Sequence, residues 1–221
     1  MTAFLAVLQK DLLLTWRSRA RAVAVFAFGA TALLLFSFAS GPDTSVLRKS
    51  AGGFLWLALL LSSTLSLSES FQAEMEQRAL EGLLLLPADA RHLYFGKALA
   101  NWLQLAALGI ALVPVLVVLY DASPGRPLAL AGVILLGTAG LSAPGTLHAA
   151  LAAQVRAREV LLPLLLLPLV VPVLLAAVKA TSLVMYGDPM GQLGSWTMLL
   201  VAFNAIFWPL CGLLFSRVVD E

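Results

Sequence analysis

The charged side chains with the most suggestive spacing lie in segment 68–97, SESFQAEMEQRALEGLLLLPADARHLYFGK, which holds five of the twelve acidic residues. At about 100° per residue, apolar side chains of this segment share one helical face and its glutamates border that face. The face carries Phe71, Met75, Ala79 and Leu86, with Glu69 and Glu76 along one edge and Glu74 and Glu81 along the other. The pattern predicts an amphipathic helix, ending at Pro87, that docks on a water-soluble partner.

A second interpretation of the same segment is a solvated helix that only connects two membrane spans. Arg78 follows Glu74 by four residues and precedes Glu81 by three, so it can pair along the helix surface in either case. We favour docking over this second interpretation.

Metal and haem chemistry would need histidine or cysteine ligands, and the chain has two histidines and one cysteine. His148 lies in an apolar stretch, where an ionisable residue is a candidate ligand for haem or a proton. Its expected depth near the end of that stretch favours a hydrogen-bonded structural histidine instead. We therefore predict no metal site and no cofactor bound by this chain.

Motifs typical of enzymes are missing from the sequence. It has no phosphate-binding G-x-x-x-x-G-K-[ST] loop, no H-E-x-x-H and no G-x-S-x-G. No carboxylate lies well inside an apolar span, which argues against a proton relay. A net charge of +2 is too small to suggest nucleic-acid binding. We predict that the chain is not an enzyme and has no nucleotide site of its own.

The composition predicts a membrane protein, with 61% hydrophobic and 12% charged residues. An uncharged stretch of about 18 residues or more can cross a bilayer as a helix, because lipid offers the backbone no other hydrogen-bond partner. Six stretches qualify, namely 22–42, 50–68, 98–120, 128–155, 160–178 and 189–216. The predicted fold is all-α, a single transmembrane domain over residues 1–221.

Lysine and arginine predict the orientation, because basic residues concentrate in cytoplasmic segments. With both termini in the cytoplasm, ten basic residues fall on that side and four on the other. Residues 1–21 then form an amphipathic helix at the membrane surface, or merely a basic flank that orients the first span. Lys97 is expected to extend to the cytoplasmic surface and Trp102 to lie at the interface.

Small residues and prolines mark two of the spans. The fourth is rich in glycine and contains Pro144, which predicts a close helix crossing or a hinge. The fifth contains Pro163, Pro168 and Pro172, so it is expected to bend. A connection between residues 179 and 194 follows the fifth span.

Seven segments together resemble the CcmB family, permease subunits of type-2 ABC exporters that serve cytochrome c biogenesis. They are WLALLLSS (56–63), FQAEMEQ (71–77), LEGLLLLP (80–87), KALANW (97–102), LGTAGL (136–141), LLLPLVVP (165–172) and AFNAIF (202–207). The likeness covers nearly the whole chain. One departure lies in the docking segment, where the family usually has glycine and then serine or threonine before Leu-Glu. Here those positions are Arg78 and Ala79, and the glycine is Gly82.

The resemblance implies a multi-pass protein of the bacterial inner membrane that works with a separate CcmA-like ATPase, which binds the ATP. It also implies CcmC-like and CcmD-like membrane partners, a CcmE-like haem chaperone, haem as the substrate of the complex, and two permease copies. The segment at about 69–92 would be the coupling helix between spans two and three. Its ATPase contacts would come from Glu69, Phe71, Glu74, Met75, Glu76, Arg78, Leu80 and Glu81. A lipid or drug exporter and a non-transporting membrane scaffold remain as alternatives.

Overall fold

Long helices make up the computed structural model, which describes residues 2–41, 43–76, 90–122, 125–153 and 158–219. The seven helices in these ranges are α1 (Thr2–Arg17), α2 (Arg19–Ser40), α3 (Thr44–Glu76), α4 (Ala90–Tyr120), α5 (Pro127–Ala153), α6 (Arg158–Tyr186) and α7 (Leu193–Val219). No strand occurs among the described residues. The predicted all-α class is therefore confirmed.

Six of these helices, α2 to α7, are long and apolar enough to cross a membrane. They coincide with the six stretches predicted from the sequence, although boundaries in three of them were wrong. The helix of the second span begins at Thr44 rather than at 50, that of the third begins at Ala90 rather than at 98, and that of the fifth continues to Tyr186 rather than ending at 178. Lys179 did not end the helix because a long basic side chain can lie along the surface while its backbone stays helical. The connection to α7 is only residues 187–192.

Helix α5 packs against its neighbours through glycines, as its sequence predicted. An added Cβ at Gly140 would lie 2.9 Å from Val173 Cγ1 on α6, and one at Gly145 would lie 2.5 Å from Leu67 Cδ1 on α3. The Trp56 ring of α3 packs in the same way against Gly137. Lipid does not drive apolar helices together, so close backbone contact supplies the attraction. These contacts place α5 in the middle of the bundle.

Helix α1 packs against the start of α4. A Cβ at Gly96 would lie 3.0 Å from the Phe4 carbonyl oxygen and 3.2 Å from Val7 Cβ, so only glycine leaves room for this approach. Val7 is buried in the contact. Ser18 alone separates α1 from α2. The N-terminal helix is thus a packed part of the bundle, more than a basic flank.

Candidate functional site

The predicted coupling segment begins inside α3. The helix continues without interruption from the second span through Glu76, so the backbone of residues 69–76 is helical. The side chains of Glu69, Phe71, Glu74, Met75 and Glu76 lie outside the described residues, and so do Arg78, Leu80 and Glu81 as a whole. The docking face therefore stays a prediction.

The length of α3 nevertheless bears on this site. Its 33 residues extend for about 50 Å at 1.5 Å per residue, whereas a hydrocarbon core is about 30 Å thick. The uncharged part of α3, residues 50–68, is itself about 28 Å long. Residues 44–49 extend past it by about 9 Å at one end, and residues 69–76 by about 12 Å at the Glu76 end. We call this end of the bundle, which also carries α1 and the start of α4, the α1 end.

A buried ion pair ties α1 to α4 at the α1 end. Lys97 Nζ lies 3.3 Å from Asp11 Oδ2, and Lys10 Nζ lies 3.3 Å from Asp11 Oδ1. Lys97 is 5% exposed, so the prediction that it extends to the surface was wrong. Asp11 supplies a counter-charge to the buried ammonium from 86 positions away in the sequence.

Buried polar side chains also form hydrogen bonds between α4 and α5. Asn101 Nδ2 donates to Thr146 Oγ1 at 3.0 Å, and the Tyr94 hydroxyl donates to the Ala143 carbonyl at 2.8 Å. Ser142 Oγ donates to the Ala98 carbonyl in the opposite direction at 2.7 Å. Each bond gives a polar side chain a partner where lipid would give none. They fix the register of the two helices.

Two tryptophans and an asparagine also donate to carbonyl oxygens of α5. Trp102 Nε1 reaches the Leu135 carbonyl at 2.9 Å, Asn204 Nδ2 reaches the Leu136 carbonyl at 2.9 Å, and Trp208 Nε1 reaches the Ala139 carbonyl at 3.2 Å. Trp102 thus binds a neighbouring helix, which its predicted interfacial role did not anticipate. The signal that could have revealed this role was an indole or amide inside an apolar span.

His148 has a hydrogen-bond partner within its own helix. Its Nδ1 lies 2.7 Å from the Pro144 carbonyl oxygen, one turn earlier. Because that oxygen only accepts, Nδ1 carries the proton, which fixes the tautomer of the ring. No group of three or more His, Cys, Asp or Glu side chains that could hold a metal occurs in the described part of the chain.

The opposite end of the bundle carries exposed polar contacts. Arg48, before the apolar part of α3, pairs with Asp121 after α4, and the Tyr186 hydroxyl donates to the Arg48 carbonyl. Asp188 accepts from the backbone N–H of Leu193 at 2.8 Å and of Gln192 at 2.7 Å, so it caps α7. These backbone hydrogen bonds hold the pKa of Asp188 below its ordinary value, and the one from Leu193 has the largest effect.

The chain is similar to known proteins over nearly its whole length. The sequence model described as "CcmB protein" matches residues 2–216. A protein named heme exporter protein B from Bradyrhizobium diazoefficiens is 33% identical over 213 residues, 96% of this chain and 90% of the relative. Those of the same name from Pseudomonas aeruginosa (32% over 208 residues; 93% and 92%) and Paracoccus denitrificans (36% over 191; 85% and 87%) are also similar. The six-span bundle and these matches together show that the chain is a multi-pass membrane protein and belongs to the CcmB family.

Proposed function

We propose that this chain is the permease subunit of a haem-export complex for cytochrome c maturation, in the bacterial inner membrane with both termini in the cytoplasm. The relatives named heme exporter protein B support the haem-export role. The distribution of basic residues supports the orientation, because the α1 end carries Lys10, Arg17, Arg19 and Arg21. The energy for export comes from ATP bound to a separate CcmA-like subunit.

The observation that carries this proposal is the helical continuation of α3 past its uncharged part, through residues 69–76. A helix that leaves the bilayer and continues into an acidic, amphipathic segment offers a rigid lever to a cytoplasmic partner. Phe71, Met75 and Leu80 pack in a groove of the ATPase, while Glu74, Glu76 and Glu81 make polar contacts at its rim. Glu69 and Arg78 complete the docking surface.

The packing of α3 provides the route by which such a lever acts on the bundle. Trp56 Nε1 donates to Thr181 Oγ1 of α6 at 2.8 Å, and the Trp56 ring packs on Gly137 of α5. Farther along, Leu67 packs on Gly145. Close-packed interiors transmit displacement because they have little free volume. A movement of the Glu76 end therefore reaches both α5 and α6.

The partners of this permease are CcmC-like and CcmD-like membrane proteins and a CcmE-like haem chaperone, which receives or releases haem on the outer face. Two permease copies serve one ATPase dimer. We favour a mechanical relay over passage of haem through this chain.

Charge reversal in the coupling segment tests the proposal. The Glu76→Lys/Glu81→Lys variant should reduce the ATPase that co-purifies in mild detergent by about tenfold or more, because it replaces two attractive contacts by repulsive ones. Asp43→Lys, an acid-to-lysine change at the opposite end, is the control and should leave the ATPase bound. Equal ATPase recovery from both variants would contradict the coupling-segment assignment, and a chain that never binds an ATPase would contradict the permease role.

A further inference from the structure

Helix α2 is held firmly by its neighbours in the half farther from α1. The Tyr120 hydroxyl of α4 donates to the Leu33 carbonyl of α2 at 2.7 Å, and both residues are fully buried. One turn closer to α1, a Cβ at Gly29 would lie 3.1 Å from Leu112 Cδ1 of α4 and 2.9 Å from Ser62 Oγ of α3. The absence of a side chain at Gly29 therefore lets α2 pass between α3 and α4 at this point.

The half of α2 nearer α1 lies beside a partly open cavity of about 360 Å³, which we call the α2–α4 cavity. Val23 and Phe26 line it from α2, and Ala107 and Ala111 line it from α4. Bringing such apolar walls together gains close packing, which is what holds helices to one another in a membrane. Helix α2 is also the least buried of the six spans, with 22% of the residues in its apolar window buried. This half of α2 thus has room on one side and little packing to hold it.

Ser62 of α3 is a buried polar residue beside this helix. It is fully buried, and its Oγ has no hydrogen-bond partner among the described residues. The neighbouring Ser63 is equally buried, but its hydroxyl donates to the Leu60 carbonyl at 2.7 Å. An unpaired buried hydroxyl is costly and rare in native structures, so a nearby arrangement that pairs it is favoured. Ser66, one turn farther along α3, lines the α2–α4 cavity, so a movement of α2 into the cavity also brings α2 toward α3.

We propose that α2 has two positions and that the structure shows the open one. In the closed position, the half of α2 nearer α1 tilts about Gly29, Val23 approaches Ala107, and the cavity closes. Ser62 then donates to a carbonyl oxygen of α2 in the turn before Gly29. The hydrogen bond to the Leu33 carbonyl is kept, because it lies on the other side of the pivot. The single-residue connection between α1 and α2 keeps the tilt small, and the inference is independent of the haem-export proposal.

Disulfide cross-linking in membranes tests the proposal. Val23→Cys and Ala107→Cys are introduced together into the full-length protein carrying Cys211→Ser, which removes the one natural thiol. A mild oxidant should join this pair, because the closed position brings the two walls within the Cβ–Cβ reach of a disulfide, about 4 Å. Val23→Cys with Ile110→Cys is the control and should react at least about tenfold more slowly, since Ile110 is exposed on α4 outside the cavity. A first pair that stays reduced, or reacts no faster than the control, would overturn the proposal.

The two neighbouring serines provide a matched second test. Ser62→Ala, added to the first cysteine pair, should slow disulfide formation about fivefold, because closure then gains no hydrogen bond. Ser63→Ala should leave the rate unchanged, since that hydroxyl bonds within its own helix in both positions. Phe26→Cys with Ala111→Cys, also on opposite walls, replaces the first pair should that variant fail to fold. Equal rates for the two serine variants would overturn the proposal.

Discussion

The two ends of the bundle use charge in opposite ways. At the α1 end, Asp11 and Lys97 pair inside the structure, with side-chain exposures of 13% and 6%. At the other end, Arg48 and Asp121 pair in the open, with exposures of 50% and 71%. A buried pair is costly to break because the remaining charge loses its partner, whereas an exposed pair contributes little. The charges of the α1 end therefore join helices inside the bundle, and those of the other end form exposed contacts near the helix ends.

The two ends are also expected to differ in function. The α1 end combines the continuation of α3 through Glu76 with the Asp11–Lys97 pair, so a partner that binds there acts on packed helices. The opposite end closes the helices over short connections, with Asp188 capping α7. We therefore expect substitutions at the α1 end to have larger effects on the assembled bundle.

The largest expected effect is at Lys97. Lys97→Met should destabilise the detergent-solubilised protein by about 2 kcal/mol, because Asp11 loses its buried partner while Lys10 remains. Thermal unfolding followed by circular dichroism measures the loss. Arg48→Met is the matched control and should cost less than about 1 kcal/mol. Equal losses for the two variants would remove the contrast between the ends.

A second substitution within that pair sharpens the comparison. Asp11→Asn combined with Lys97→Met should be less destabilising than the sum of the single changes, since neither charge is then left alone. Additive losses would mean that the two side chains act independently.

An intermediate effect is expected at Asn101. Asn101→Leu keeps a similar volume but removes the donor to Thr146, so the loss of stability should be about 1 kcal/mol. The same unfolding measurement applies. Adding Thr146→Val should cost little more, because its hydroxyl has already lost its partner, and a full second loss would contradict a shared bond.

The smallest effect is expected at Asp188 and depends on pH. Its pKa is lowered in the folded protein, so its stabilising contribution is complete above the ordinary carboxyl value and is lost as pH falls through the lower folded value. The Tm of the natural protein should therefore decrease more than that of Asp188→Asn between about pH 5 and about pH 3. Parallel Tm curves for the two proteins would contradict the capping role.

Much of the fold could be predicted from the sequence because lipid imposes a strict rule on the backbone. Each membrane-crossing segment must satisfy its own hydrogen bonds, so length and lack of charge reveal the spans. The glycines of α5 likewise predicted a close crossing. The search for uncharged stretches missed the true helix boundaries at Ala90 and Tyr186. A basic side chain ends an uncharged stretch even where the helix continues past it.

The roles of individual polar residues could not be predicted in this way. Lys97 looked like a surface lysine, and only the position of α1 against Gly96 brings Asp11 to it. Trp102 looked like an interfacial anchor, yet it donates to a carbonyl of α5. For the coupling segment, amphipathic spacing supplied the prediction, and the structure adds the helical continuation of α3 through Glu76.

The sequence by itself thus determined the all-α class, the six spans and the family likeness, because these follow from properties that neighbouring residues share along the chain. The tertiary structure alone decided which distant side chains meet. The pairing of Asp11 with Lys97 and the hydrogen bond from Asn101 to Thr146 depend on how whole helices approach one another. That approach results from many contacts between residues far apart in the sequence, which no local pattern records.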